Sequence, residues 1–493
     1  MTAIPLRPVA AEVRLRNVRT RMTPKYGAAV LVACPIAQLW LTVEGPAGRR
    51  VEGLAGDCLP PGWYDKRPGR SFRQDVSELL AALGEAQTAL LELARNGPRS
   101  VFGFWRELYP HQIAWARQRG CTDLTGNFGT SMLERALIDA AGKLAGRSFF
   151  DSVKQGLLGL EPGAVHPFLK DWQAAEALAA TPLSSIAVRH TVGGADPLVA
   201  GDVPEGGRLS DGLPQTLEEY LRAEKLRYFK VKLKGDAAWD LERMRGVARL
   251  CDAWIPEHEP YYVTLDGNEM FKDPELLTLE LEQLAAGGVS ARFAQAVQFV
   301  EQPYPRAVTL DAAVKPDLEK ASRFKPVIVD ESDENTESVP RALELGYAGF
   351  AVKSCKGPIK ALLNKGAVAR HPNRPRLPIV SGEDMMNLPV VPLHADLVLL
   401  AALGVTHAER NGHHFCRGLD HLASAERAAL LDAHPGLYRR KSGTLVVLDT
   451  EHGFLDVRTL NARAGFSVDG GSEVEKAGMT PVTEWRFEDL GLP

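Results

Sequence analysis

From Ser184 onward the chain alternates short β-branched runs with helical text, and this alternation constrains its fold more than any other feature. The first strand reads SSIAVRHTV and is followed by the helix QTLEEYLRAEKL. YFKVKLK, YYVTLD, VQFVE, PVIVDE, AGFAVK, LPIVSG and VTHAER follow as strands, with amphipathic stretches such as AAWDLERMRGVARLCDAW and IKALLNKGAVARH between them. Eight βα-type units in succession predict a (β/α)8 TIM barrel. A doubly wound open sheet is the competing topology, but it usually shows fewer strands and a Gly-rich nucleotide turn. Neither GxGxxG nor GxxxxGK[ST] occurs here.

Five of these runs end in a charged residue of chemical interest. In chain order they give Lys232, Asp266, Glu301, Asp330 and Lys353. The C-terminal ends of barrel strands are where such barrels build their sites. Adjacent strands lie about 4.8 Å apart, so acids on three successive strand ends can converge on one ion. An all-oxygen set suits Mg²⁺, with Mn²⁺ as the substitute, rather than zinc. Any one of these acids alone reads equally well as a helix N-cap or a surface charge; the ordered set is what points to a metal.

The lysines add a geometric argument. The second and sixth strands of an eight-stranded barrel are diametrically opposed, so Lys232 and Lys353 face each other across the acids. A substrate carboxylate held there has its α-carbon between two amines, and a metal stabilises the enediolate left when the α-proton departs. Lys230 shares a strand face with Lys232, and its ammonium, with the metal, is expected to depress the Lys232 pKa. Lys234 lies on the same face too. The base is assigned to Lys232 because a Gly-Asp turn follows and Lys234 reads as the first exposed residue.

Upstream, residues 1–160 read as an α+β domain: strands broken by Gly turns in Ala28–Asp57, then helices in Ser71–Asn96 and Ser131–Val153, the last ending near Gly146. Residues 181–440 form the barrel. A tail, 441–493, contains strand-like text (SGTLVVLDTEHGFLDVRT) that is expected to pack back on the first domain.

Composition narrows the partners. The net charge is −4, which gives no reason to expect nucleic acid, and no apolar run is long enough to span a bilayer. Six cysteines are scattered without a CxxC pair, and the opening MTAIPLRPVAAEVRLRN lacks the apolar core of a secretory leader. Together these predict free thiols and a cytoplasmic protein.

The ordered motifs resemble the enolase superfamily, in particular the muconate-lactonizing subgroup of the mandelate racemase/muconate lactonizing enzyme family. The matching text is K-x-K at Lys230 and Lys232, D-x-N at Asp266 and Asn268, E-Q-P at Glu301–Pro303, D-E-S at Asp330–Ser332, and K-x-x-K-G at Lys353–Gly357. The resemblance covers most of the chain, as a capping domain, a modified barrel and a tail completing the cap. It implies Mg²⁺ on Asp266, Glu301 and Asp330, and acid/base roles for Lys232 and Lys353. Lys230 is implied to touch the substrate carboxylate or tune Lys232, with Asn268 and Glu331 around the metal ligands. Cap segments near Arg19–Tyr26 and Leu54–Lys66 are implied to close over a small-molecule carboxylate substrate. Family relatives often assemble as homo-oligomers.

The chain departs from the pattern at strand seven, IVSGEDMMN, where Glu383 and Asp384 both stand as candidates for substrate contact. It departs again at THAERNGHHFCRG, whose His407, His413 and His414 read either as substrate contacts or as satisfied loop histidines. Racemisation or epimerisation of an acyl-amino acid or dipeptide, syn-dehydration and cycloisomerisation all fit two opposed lysines. A sugar-acid dehydratase of the mandelate racemase type is the first alternative, but it calls for a His on strand seven and an Asp on strand six. A non-catalytic binding relative is the second, and it predicts the loss of a ligand or base.

Overall fold

The computed structural model describes residues 3–26, 29–468 and 473–492. Eight parallel strands close into a barrel: Ser185–Val192, Tyr228–Lys232, Tyr262–Asp266, Val297–Glu301, Val327–Val329, Gly349–Val352, Ile379–Gly382 and His407–Glu409. Each pairs with the next, and the eighth closes on the first through His407↔Ala187 and Glu409↔Arg189. The register aligns Lys232 with Asp266 and Asp266 with Glu301, so the charged strand ends stand side by side at one mouth.

The N-terminal domain pairs Arg7–Arg19, Ala33–Glu44 and Arg50–Cys58 in an antiparallel sheet covered by the helices Phe72–Arg95, Val101–Gln118 and Asp123–Ala145. Ser71 starts the first helix with a capping box to Gln74, and Gly146 ends the third in the left-handed region at φ 64°. That third helix begins at Asp123, eight residues before the sequence pattern suggests, because Thr122 caps it through Thr125.

The tail serves both bodies. Phe454–Asp456 adds antiparallel to the first barrel strand, opposite Ser185–Ala187, and only later does Thr480–Pro481 pair with Arg14 and Leu15 of the cap sheet. The hairpin Tyr438–Ser442 with Leu445–Leu448 straddles the boundary placed at 440. Packing on the cap therefore describes only the end of the tail; its first part completes the barrel.

Cap and barrel share one continuous apolar cluster. A smaller one, Val18, Leu31, Cys34, Ile36, Cys58, Met386, Leu388, Phe415 and Cys416, seals the cap sheet against the loops after strands seven and eight. All six cysteines are buried, free thiols. Among the described residues no helix is long and apolar enough to cross a membrane.

Candidate active site

The mouth of the barrel is charged almost to its floor. Lys230 is 1 % exposed, and its ammonium donates to Glu301 at 3.0 Å, to Glu409 at 3.2 Å and to Glu383, with Asp266 at 2.8 Å. Burial works against that charge, but four carboxylates outweigh it and hold Lys230 well above the usual lysine range. Glu383 is buried as well. It accepts from Ser381 Oγ at 2.7 Å and pairs with Arg189, which reaches it from the middle of the first strand. Glu383 therefore sits beneath the mouth as a counter-charge, whereas Asp384 lines the pocket above it.

Lys232 donates to Asp266 at 2.5 Å. Burial lowers the ammonium, yet Asp266 raises it further than Lys230 depresses it, and its pKa stands above the ordinary value. The nearest group to Lys232 is a carboxylate rather than the second ammonium, and the depression expected from the sequence counts on the charge of a metal held by that carboxylate as well as on Lys230. Lys234 is exposed and lies over the Trp239 ring at 3.5 Å. Across the mouth, Lys353 is 3 % exposed and pairs with Asp330, while Lys356 donates to both Asp330 Oδ1 and its carbonyl at 3.1 Å.

Local chain geometry holds the acids. Asn268 is left-handed at φ 44°, and its N–H returns to Asp266 Oδ1 at 2.8 Å. Its Nδ2 donates to Glu331 Oε1 at 2.7 Å. Gly267 is required by close approach, since a Cβ there meets Pro303 Cα at 2.5 Å. Gln302 explains the E-Q-P motif. Its Oε1 accepts the amides of Asp330 and Ser332 at 2.9 and 3.1 Å, and its Nε2 donates to Ser332 Oγ at 2.7 Å, tying the ends of strands four and five together.

The cap closes on this mouth. Arg306 donates to the carbonyls of Trp63 and Tyr64 at 2.9 and 3.1 Å and pairs with Glu269, while Lys66 bridges Glu269 at 2.5 Å and Glu331 at 3.3 Å. Trp63 is thereby seated with its ring centroid 5.0 Å from Lys353 Nζ. The pocket beneath holds about 680 Å³ of space, its open mouth included. Lys230, Lys232, Asn268, Asp330, Lys353 and Asp384 all line it, as do Pro24, Lys25 and Pro60 from the two cap segments.

Sequence reasoning missed Glu409, which ends strand eight as the other acids end theirs, two residues past the more conspicuous His407. None of the three histidines lines the pocket. His407 stacks on Tyr228 inside the barrel and meets Arg189 Nη1 at 2.9 Å. His413 and His414 pack outside it against His190 and Tyr220.

Asp266 and Glu301 both reach toward one cationic point, and Glu301 Oε2 is a buried oxygen without a hydrogen-bond partner. Three carboxylates at adjacent strand ends are hard oxygen donors suited to Mg²⁺. As the side chains stand they turn to lysines, and among the described residues no three His, Cys, Asp or Glu side chains are disposed to hold an ion. The chemistry of the donors fits the metal; their arrangement here is that of ion pairs.

Fold and mouth together define a capped eight-stranded barrel with opposed lysines over a carboxylate cluster. The same fold is seen in muconate lactonizing enzyme from Pseudomonas fluorescens complexed with muconolactone, at 15 % identity and TM-score 0.60 over 97 % of this chain and 99 % of that one. It is seen in N-succinyl Arg/Lys racemase from Bacillus cereus, at 12 % identity and TM-score 0.59 over 96 % and 98 %. A dipeptide epimerase from Enterococcus faecalis, complexed with Mg and L-Leu-L-Tyr, is similar at 13 % identity and TM-score 0.57 over 94 % and 99 %. No family model matches the sequence, and no curated protein matches it.

Proposed function

We propose that this chain is an enzyme of the enolase superfamily that removes the proton α to a substrate carboxylate. The observation that carries the reading is the placement of Lys232 and Lys353 on strands four apart around the barrel, both lining one pocket. The structural neighbours include a racemase, an epimerase and a cycloisomerase, which supports the reaction kind.

In this reading Asp266, Glu301 and Asp330 hold one Mg²⁺, which supplies positive charge for the substrate carboxylate when bound. The chain does the proton work. Nζ of one lysine takes the α-proton and Nζ of the other faces the opposite side of the same carbon, so the proton returns with retained or inverted configuration or leaves with a β-substituent. Lys230 fixes Asp266 and Glu301 from below, and Lys356 holds Asp330. Trp63 and the Arg306-anchored loop cover the lysines and exclude water. Asp384 and Glu331 support the walls rather than the chemistry. The strand-six position is filled by a lysine and strand seven carries no histidine, which favours this reading over a sugar-acid dehydratase.

The test is proton NMR in D₂O with Mg²⁺, following α-proton loss from pooled N-acyl amino acids, dipeptides and hydroxy acids. Exchange is expected with the native chain, Lys232→Ala and Lys353→Ala are each expected to abolish conversion and any exchange on the side of the missing amine, and far-UV circular dichroism is expected to stay unchanged. Full exchange in both variants would overturn the base assignment.

A further inference from the structure

The two lysines of the mouth are held by different parts of the molecule. Lys232 ends its strand inside the ladder, in register with Asp266 on the next strand. Lys353 stands one residue beyond its own strand, Gly349–Val352, whose last paired residue is Val352, opposite Gly382. Past that pair the course of the chain is set by the short helical turn Ser354–Lys356.

The cap grips this turn. The turn's own bonds run from the Lys356 N–H to the Lys353 carbonyl at 3.0 Å and from the Gly357 N–H to the Ser354 carbonyl at 2.9 Å. The third cap helix, Asp123–Ala145, adds contacts from far upstream in the chain. Asn127 Nδ2 donates to the Lys356 carbonyl at 2.8 Å, and Ser131 Oγ donates to the Ser354 carbonyl at 2.9 Å. Glu134 Oε1 accepts the Ile359 amide just beyond the turn at 3.0 Å. Their spacing, four residues and then three, puts them on one helix face. Asp396 accepts the Ser354 amide at 2.9 Å from the helix after strand seven.

Asn127 and Ser131 are buried. A buried polar side chain costs free energy unless it is hydrogen-bonded, and an apolar residue would fill the same space more cheaply. Packing alone gives no reason for an amide and a hydroxyl at these places; the main chain beside Lys353 does.

We infer that the cap helix aims Lys353, with Asn127 and Ser131 as positioning residues, and that Lys232 is aimed by the barrel ladder. The two faces of the substrate carbon are then under separate control. The part of Lys353 as a base rests on the reaction proposed above; the grip on its turn does not.

The experiment uses Ser131→Ala, which removes one hydroxyl, and Asn127→Leu, which removes the amide at nearly constant volume. With the full chain and Mg²⁺, α-proton exchange in D₂O is followed separately for each antipode of the pooled N-acyl amino acids, dipeptides and hydroxy acids. Lys353→Ala marks the antipode that exchanges on the Lys353 face. On that face each variant is expected to slow exchange about tenfold or more, because misplacing a reacting group by about 1 Å can cost roughly a hundredfold. Exchange on the Lys232 face is expected to stay within about twofold of native. A second readout needs no substrate. Reductive methylation with formaldehyde and a borane reductant, read by peptide mass spectrometry, gives the labelling rate of Lys353 relative to Lys232 in one sample. Loss of a hydrogen bond from the turn is expected to raise that ratio about fivefold. Equal losses on both faces, or a lowered Tm with both ratios unchanged, would make the contacts ordinary packing and overturn the inference. If the native chain exchanges no proton from any compound, the proposed reaction falls and the labelling ratio decides alone: a raised ratio supports the inference, and an unchanged one overturns it. Ser131→Ala leaves the Ser354 carbonyl its Gly357 partner, so it carries the test even if Asn127→Leu fails to fold.

Discussion

The Lys353 ammonium lies 5.0 Å from the centre of the Trp63 ring, so a residue of the cap supplies one face of the environment of a barrel lysine. A cation over an indole gains about 0.5–2 kcal/mol, the larger figure when desolvated. Trp63→Leu is therefore expected to change kcat/KM by roughly threefold to thirtyfold. Steady-state kinetics checks this; an unchanged value would reduce the ring to a wall.

Glu301 is the acid most deeply set among the three, and Glu383, Asp266 and Asp330 crowd its charge while burial raises its pKa well above the usual carboxylate range. A bound cation would hold Glu301 ionised, and Glu301→Gln withholds that charge from the set. Mg²⁺ affinity, measured by calorimetry on the chelator-stripped chain, is expected to fall by roughly an order of magnitude or more. Undiminished affinity would rule Glu301 out as a ligand.

Lys230 neutralises carboxylates on four strands from a position with almost no solvent. Removing one partner of a buried ion cluster leaves uncompensated charge and typically costs about 3–5 kcal/mol. Lys230→Met is expected to lower stability by that order in urea unfolding without added metal. A loss below about 1 kcal/mol would show that the surrounding acids simply protonate.

Glu134 connects pH to stability away from the mouth. Burial pushes its carboxyl up to about 8, and its Oε1 accepts the Ile359 amide at 3.0 Å, capping the helix Pro358–Arg370. Gly357, at φ 97°, gives it room, since a Cβ there meets Glu134 Oε1 at 2.7 Å. The folded pKa lies above the ordinary carboxyl value of 4.5, so the native state binds the proton more tightly than the unfolded chain. Its contribution is fully present below pH ~4.5 and is lost as pH rises through about 8. Thermal unfolding from pH 5 to pH 9 should show a falling Tm, and Glu134→Gln should flatten that fall. Parallel profiles would mean the carboxylate is stabilised in the fold.

The strand-end residues were legible in the sequence because position along a strand fixes position in a barrel. Lys232, Asp266, Glu301, Asp330 and Lys353 each needed only a local pattern, and strand order supplied the rest. The residues that escaped are those whose meaning depends on register or on distant chain. Arg189 lies in the middle of a strand, and nothing nearby predicts that it meets Glu383, 194 residues on. Trp63 and Lys66 come from another domain. Glu383 and Asp384 are neighbours in sequence, yet one turns down into the barrel and the other lines the pocket, a distinction set by the irregular segment that follows the strand Ile379–Gly382. The histidines drew attention by composition, while Glu409 beside them follows the same strand-end rule as the others.

The bridge made by Asp384 has an evolutionary corollary. Both of its oxygens hold main-chain amides, of Asn387 and Asn411, so the path of the two loops is set without reference to the side chains they display. Met386 and Phe415 also belong to the apolar cluster that seals the cap, so an exchange there must keep its volume while the bridge keeps the course of the main chain. A lineage carrying this bridge can vary the upper wall of the pocket by volume-conserving changes, with the main-chain path between strands seven and eight held in place.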